Sequence, residues 1–448
     1  MKRSKKLIAL LLVLVLLIGA VVAVQSGNSE TDTDETEAAD TGTVVYTLDA
    51  DDVTALSWDY SEYVAFENGS DGWVYTEDEA FPLDKTYIET MLSALRQVTS
   101  YKTIENPADL DQYGLAVPVC AIHVTTNTVQ TLKIGSESAL GGQRYFSTGD
   151  GNVYLVDENL LSSFSYGLYD VLALETIPEM TEVSGFTVTT PERTLAITRE
   201  EGSGKAYSDS YVWFADDVTL DTELTDALIA RITGLAWNTC VDYAAEDLAA
   251  YGLAEPAASV TVEHAGGTFT LEIGSNTDDG CYVRLTDSNM VYLVDSTVHD
   301  SLCYATANEL LPDVVLVMDW TQVTAVDLIL DGETYTLGWA VKETTDADGN
   351  AVEETVLQFA DTAVEATGIT EALDAVTSVG YAAGLTSDQP AQIQILIHRN
   401  TEAYSLVELA FYPYDSSACL TVLNGQATVL ADRTQVADLV ELVNTLAK

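Results

Sequence analysis

Positive charge is what this sequence most lacks. Its 448 residues include 18 Lys and Arg against 71 Asp and Glu, a formal net charge of −53. Four of those bases, Lys2, Arg3, Lys5 and Lys6, sit in the first six residues, and no acid precedes Glu30. The chain beyond Val24 is left with 14 bases against 71 acids, a net −57. A field of that sign repels phosphate backbones and anionic headgroups, so it argues against nucleic-acid binding and against peripheral docking on anionic lipid. Histidine is scarce as well: His123, His264, His299 and His398 are all there are, and none forms an H-x-x-x-H pair. A metal or general-base role needs a partner that this spacing does not supply, so each reads as a surface or hydrogen-bonded core histidine. The five cysteines, Cys120, Cys240, Cys281, Cys303 and Cys419, contain no C-x-x-C pair. Without zinc spacing and mostly among strand-like residues, they read as small buried hydrophobes. The remaining composition, 47% hydrophobic and 20% charged, is globular, with room for two or three domains.

One long apolar run is present. Leu7 to Val24 is 18 apolar or small residues without interruption. As a helix it measures about 27 Å, close to the roughly 30 Å of a bilayer core. Basic residues flank only its N-terminal side, which places residues 1–6 in the cytoplasm and the C-terminal region outside. Residues 7–24 are expected to be a single transmembrane anchor. The rival reading is a cleaved signal peptide, with small Val21 and Ala23 ahead of Val24, but the run exceeds a usual signal core. No cysteine ends the run, which excludes a lipoprotein anchor. Residues 25–42 carry almost nothing to bury and are expected to form a flexible acidic linker. Its r.m.s. span as a flexible chain is on the order of 20–25 Å.

Beyond the linker the sequence repeats itself. Tyr113-Gly-Leu-Ala-Val-Pro118 returns as Tyr251-Gly-Leu-Ala-Glu-Pro256, and Val153-Tyr-Leu-Val-Asp157 returns as Val291-Tyr-Leu-Val-Asp295. Between them Leu132-Lys-Ile-Gly-Ser136 matches Leu271-Glu-Ile-Gly-Ser275, and Asp109-Leu110 matches Asp247-Leu248. Four blocks in one order at nearly one spacing mark an internal repeat. A worn third copy follows: Gly384-Leu385 precedes Pro390, Thr428-Val-Leu-Ala-Asp432 stands for the tyrosine-bearing block, and Ile-Gly-Ser is missing. Each copy opens on a strand-like run, at Val53, Val183 and Val323. The units are expected at 43–180, 181–318 and 319–448.

Within a unit the hydrophobic period changes. Ile88, Met91, Leu92, Leu95 and Val98 recur at helical spacing, as do Leu224, Leu228, Ile232 and Leu235, and then Leu373, Val376 and Val379. After the Tyr-Gly-Leu-x-x-Pro block the period is two, Ala121–Val124 and Thr131–Ile134, which predicts a hairpin. Short helices close the units, with Leu160, Leu161, Phe164 and Leu168 in the first and Val436, Leu439, Val440, Val443 and Leu446 in the third. The expected fold class is α+β: an N-terminal transmembrane helix, then three repeated units of antiparallel sheet with packed helices. The Tyr-Gly-Leu-x-x-Pro block reads as structure: Gly for a positive φ, Leu to pin the turn, Pro to launch the next strand.

These blocks resemble a bacterial family, domain of unknown function 4340. The residues that carry the resemblance are Asp109-Leu110, Tyr113-Gly-Leu-x-x-Pro118, Ile134-Gly-Ser136 and Val153-Tyr-Leu-Val156, with their second copies, over about residues 51–318. The resemblance implies a membrane-anchored extracytoplasmic protein, often found beside components of ABC-type export systems, including those related to gliding motility. It implies no catalytic residues.

The templates of enzyme chemistry fail on residue type or spacing. No G-x-S-x-G elbow is present. Gly202-Ser-Gly-Lys205 looks like part of a phosphate loop, but Arg199 holds the earlier Gly place and Ala206 the place of Ser/Thr, so a hairpin tip fits better. Asp346-Ala-Asp-Gly-Asn350, with Glu353 and Glu354, is the best metal candidate; its Gly349 is fourth where a calcium loop needs Gly sixth, and an Asp-Gly hairpin tip is the simpler account. Asp278-Asp279-Gly280 is a similar loop. Among 71 acids some carboxylate pair will lie at glycosidase spacing in any fold. Trp73 and Trp213 fall in equivalent strand regions, which suggests core or inter-unit packing. Trp58, Trp237, Trp320 and Trp339 have no assigned role. No catalytic, cofactor or metal residue is assigned. The sequence is read as a non-enzymatic accessory or scaffold protein, with membrane-complex subunits as partners. The alternatives are a binding module for cell-wall glycan or peptide, and an extracytoplasmic hydrolase.

Overall fold

A computed structural model describes residues 42–139, 141–345 and 350–447. The expected membrane helix 7–24, all but the last residue of the linker, and Asp346–Gly349 of the calcium candidate lie outside the described residues. Among the described residues no helix is long and apolar enough to cross a membrane. The chain divides into two compact units, one ending at Ala173 and one beginning at Leu174.

The fold is a sheet-rich α+β fold, and the strands pair antiparallel throughout. In the N-terminal unit, β1 (Thr43–Thr47) is followed by β2 (Ala55–Asp59), β3 (Tyr63–Gly69) and β4 (Gly72–Tyr75). A helix, Lys85–Leu95, leads to β5 (Gln97–Ser100) and β6 (Lys102–Ile104). The unit ends with β7 (Cys120–Thr125), β8 (Val129–Glu137), β9 (Gln143–Ser147) and β10 (Val153–Asp157). Strands β1 and β5 form a separate ribbon, and the main sheet has the order β4-β3-β2-β7-β8-β9-β10-β6.

The C-terminal unit holds two sheets. The first contains β11 (Gly185–Thr189), β12 (Thr194–Arg199), β13 (Trp213–Ala215), β14 (Val218–Leu220) and β15 (Thr239–Asp242), then β16 (Ala258–His264), β17 (Gly267–Thr277), β18 (Gly280–Leu285) and β19 (Val291–Val294). Its order is β14-β13-β12-β11-β16-β17-β18-β19-β15. The other contains β20 (Val323–Leu330), β21 (Glu333–Thr345), β22 (Ala351–Phe359) and β23 (Ser378–Tyr381), then β24 (Ile393–Arg399), β25 (Leu406–Pro413), β26 (Ala418–Leu423) and β27 (Gln426–Asp432). Its order is β22-β21-β20-β24-β25-β26-β27-β23.

All three sheets follow one scheme. The opening strand lies in the middle, its meander extends to one edge, and four later strands extend to the other. The short strand after the helix closes on the last of them. The second sheet carries one more strand at that edge, β14, which pairs antiparallel with β13. Alternating burial gives each sheet a packed face: Cys120, Ile122 and Val124 of β7 are buried and the residues between them are not.

The first two long helices begin where an aspartate holds a free amide. Asp84 Oδ1 accepts from Thr86 N at 3.0 Å, and Asp221 Oδ1 from Leu224 N at 2.9 Å. The first helix buries Ile88, Met91, Leu92 and Leu95, as its spacing predicts, while Val98 has passed into β5. The second, Thr222–Thr233, buries Thr225, Ile229 and Ile232, and leaves the expected Leu224 exposed. Ile232 is buried as expected, while Thr225 and Ile229 take the packed line in place of Leu224 and Leu228. The third, Thr367–Asp374, ends before Val376, which is buried in the turn beyond it; Val379 lies exposed on β23.

Candidate functional site

The repeated blocks are the first candidates, and each has a structural task. The Tyr-Gly-Leu turn and the Ile-Gly-Ser strand grip one another. Gly114 and Gly252 adopt positive φ, 67° and 69°. A Cβ on Gly114 would fall far inside contact distance of Ser136 Oγ, and one on Gly252 far inside that of Ser275 Oγ. In the reverse direction, a Cβ on Gly135 or Gly274 would strike the Tyr113 or Tyr251 carbonyl oxygen and the following leucine. Leu115 and Leu253 are fully buried beneath this contact. Tyr113 meets Tyr145 edge-on at 4.8 Å, and Tyr251 meets Tyr282 at 5.1 Å. Asp109 and Asp247 start the turn by accepting from Asp111 N and Ala249 N at 2.9 and 3.1 Å.

The aspartate that ends the tyrosine-bearing block holds the helix after it. Asp157 Oδ1 accepts from Asn159 N, and Asp295 Oδ1 from Thr297 N, both at 2.8 Å. In the third sheet Asp432 Oδ1 accepts from Thr434 N at 2.8 Å and Gln435 N at 3.1 Å. The hydrogen bonds from Thr297 hold the Asp295 carboxyl below the ordinary carboxylate range.

The histidines sit on four separate elements. His123 Nδ1 meets Thr131 Oγ1 at 3.0 Å, His264 Nδ1 accepts from Gly266 N at 3.2 Å, and His299 lies against Asp300. His398 Nε2 meets Asp327 Oδ2 at 2.9 Å, while Thr336 Oγ1 donates to Asp327 Oδ1 at 2.6 Å. The Thr336 hydrogen bond first, then His398, lowers the Asp327 pKa. The cysteines are free and buried. Burial pushes the Cys120 thiol up to about 12 and Cys240, Cys281 and Cys303 to about 11, so none is a ready nucleophile at neutral pH. Among the described residues no group of three or more His, Cys, Asp or Glu side chains could hold a metal ion. Asp278 and Asp279 lie in a hairpin tip closed on itself, Thr277 Oγ1 donating to the Gly280 carbonyl at 3.0 Å. Glu353 and Glu354 lie on β22, and Asn350 immediately precedes it.

Gly202-Ser-Gly-Lys205 forms part of the connection from β12 to β13, with positive φ at both glycines. Its lysine is engaged. Lys205 Nζ reaches Glu200 Oε1 at 3.1 Å and Asp217 Oδ1 at 3.2 Å, and lies 4.7 Å from the centre of the Phe214 ring. Burial works to lower the Lys205 pKa, but Glu200 and Asp217 outweigh it and raise it. Tyr207, two residues on, joins the second and third sheets by accepting from Asn424 Nδ2 at 2.8 Å.

Five of the six tryptophans fix their indole N–H. Trp58 donates to the Tyr166 carbonyl, Trp213 to Asp226 and Trp237 to the Glu175 carbonyl, each at 2.7 Å. Trp237 also stacks on Tyr292 at 4.0 Å. Trp58 and Trp213 are buried core residues, whereas Trp73 is half-buried on β4. Trp320 donates to Asp374, and Trp339 to the Val323 carbonyl at 2.7 Å. Those two, with Thr321, Val323 and Thr355, line an open groove of about 340 Å³ on the third sheet. Neither tryptophan has a role legible in the sequence, because the two lie on different elements and meet only in the fold.

The family model for Domain of unknown function (DUF4340) matches residues 73–212 and 213–394. The chain belongs to this family. Both matches open on a tryptophan, Trp73 on β4 and Trp213 on β13, at corresponding places in the first two sheets. The second match runs on through β20, β21 and β22 into the start of β24, so the family's sequence pattern continues into the worn copy. No curated protein and no solved structure matches the chain.

Proposed function

We propose that this member of DUF4340 is a non-enzymatic accessory or scaffold protein, anchored through residues 7–24 and displaying its sheets outside the membrane. The observation that carries the reading is the use made of the repeated blocks. The residues repeated most closely spend their side chains and backbone on each other, with Gly114 against Ser136 and Gly252 against Ser275. Repetition of a structural lock multiplies surface, which suits a protein that holds partners. The apolar run with its basic N-terminal flank supplies the anchor and its direction. The family resemblance supplies the partner, a membrane complex such as an ABC-type exporter. Crosslinking of the full-length protein in its native membrane, with mass spectrometry of the captured chains, tests this. Transporter subunits captured through the ectodomain are expected; capture of no membrane-complex subunit contradicts the reading.

A second reading, binding of cell-wall glycan, draws on the Trp320–Trp339 groove. Inward hydrogen bonds hold both indoles, which leaves ring faces and the hydroxyls of Thr321 and Thr355 to meet a sugar. Saturable binding to purified wall that Trp339→Ala abolishes is the expected result for this reading. Equal retention of wild type and variant removes it.

A further inference from the structure

Arg399 ends β24 and is buried, with 8% of its surface exposed. Among the described residues no carboxylate lies within ion-pair distance of it. Its Nη1 and Nη2 donate to the carbonyls of Tyr404 and Tyr207, each at a long 3.4 Å, and its buried Nε has no partner. The guanidinium lies 5.4 Å from the centre of the Tyr207 ring. Both tyrosines that offer it a carbonyl have positive φ, 62° at Tyr207 and 52° at Tyr404, a conformation bulky residues rarely adopt. Nε is closed to solvent, but each Nη carries a second N–H beyond its one long bond, and these call for an acceptor.

A cavity of about 360 Å³ lies beside it, lined by Arg399, Ser203, Ser208, Thr401, Asp209 and Asp319 among others. That volume is within the range of small-molecule pockets. Asp319 is fixed: its Oδ1 accepts from Thr321 N at 3.0 Å and Thr321 Oγ1 at 2.6 Å. Those hydrogen bonds keep its carboxyl below the ordinary range, so it is charged at neutral pH. Burial lowers the Arg399 pKa, yet a guanidinium remains a cation. A simple anion that approaches Arg399 would face Asp209, Asp319 and Glu402. A simple cation would face Arg399. A molecule that carries both charges a few ångströms apart satisfies both sides, and the hydroxyls of Ser203, Ser208 and Thr401 can serve its remaining polar atoms.

We propose that this cavity binds a free amino acid, with its carboxylate on Arg399 and its ammonium on Asp319. The site is independent of the scaffold reading. Titration calorimetry on the full-length protein in detergent tests it, with alanine, glutamine and lysine as probes and acetate and methylamine as half-ligand controls. At least one amino acid is expected to saturate with a dissociation constant of about 1 mM or below, and both controls to bind about tenfold more weakly or worse. Asp319→Asn keeps the Thr321 cap but removes the charge, and is expected to weaken the amino acid about tenfold. Arg399→Lys should weaken it as well, and Asp319→Asn keeps the test valid if that variant fails to fold. No saturation by any of the three amino acids up to about 10 mM overturns the proposal. So does acetate binding as tightly as the amino acid, or an Asp319→Asn protein that binds like wild type.

Discussion

The first two sheets and the third have one topology and two ways of holding it. In the first two, a left-handed glycine in the turn packs on the serine of the neighbouring strand, and a leucine is buried beneath. In the third, Gly384 also has a positive φ, 79°, but a Cβ there would meet no atom within 4 Å, and Leu385 is only half-buried. The loss of the Ile-Gly-Ser block from the third copy matches this: the turn glycine there packs on no neighbour, so no strand beside it requires a residue without a side chain. Two blocks that wear out together are two halves of one contact. The strand order survives the loss, because burial alternation and hairpin pairing set it independently.

Backbone substitutions should separate the two kinds of turn most sharply. Gly114→Ala and Gly252→Ala combine an unfavourable φ with a clash, and are expected to cost about 2–4 kcal/mol in urea unfolding of their compact units. Gly384→Ala carries only the conformational cost, about 1–2 kcal/mol. Similar losses at all three positions would break the comparison.

The leucines follow. Leu115→Ala and Leu253→Ala empty fully buried sites and should cost about 2–5 kcal/mol, whereas Leu385→Ala should cost about half as much or less. The helix caps come next, because there the sheets agree. Asp432→Ala removes the acceptor for two amides and is expected to cost about 1 kcal/mol, read as a shift of the urea midpoint.

A separate effect, confined to alkaline solution, is one of pH. Folding raises the Cys120 thiol from its model-compound value of 9.0 to about 12. The unfolded chain therefore ionises first as pH rises, so this stability is whole below about pH 9 and is lost toward pH 12. Cys120→Ala should flatten the fall in stability of the N-terminal unit across that window. An unchanged slope would assign the fall to other groups.

Much of this architecture was legible beforehand. The repeat, the hairpin after the turn and the helix through Ile88, Met91, Leu92 and Leu95 follow from spacing alone. Other features were not legible, because they depend on long-range contacts. That Gly114 needs Ser136, 22 residues away, appears only once both strands are placed. The buried line of the helix Thr222–Thr233 runs through Thr225 and Ile229, each one residue from the expected Leu224 and Leu228. The site around Arg399 was hidden for the same reason. Its carbonyl partners come from Tyr207, 192 residues away, and from Tyr404. The Gly202–Lys205 segment stands out in the sequence for its glycines and lysine, yet its neighbour Tyr207 is what reaches the third sheet.

The central claim is that the turn glycine and the strand serine form one lock. The most direct measurement is a double-mutant cycle of Gly114→Ala with Ser136→Gly, followed by urea unfolding of the full-length protein. The account predicts partial rescue: removing the serine side chain should recover about 1 kcal/mol or more of the loss at Gly114. Losses that add to within about 0.5 kcal/mol would contradict it and leave the two blocks as neighbours without a shared task.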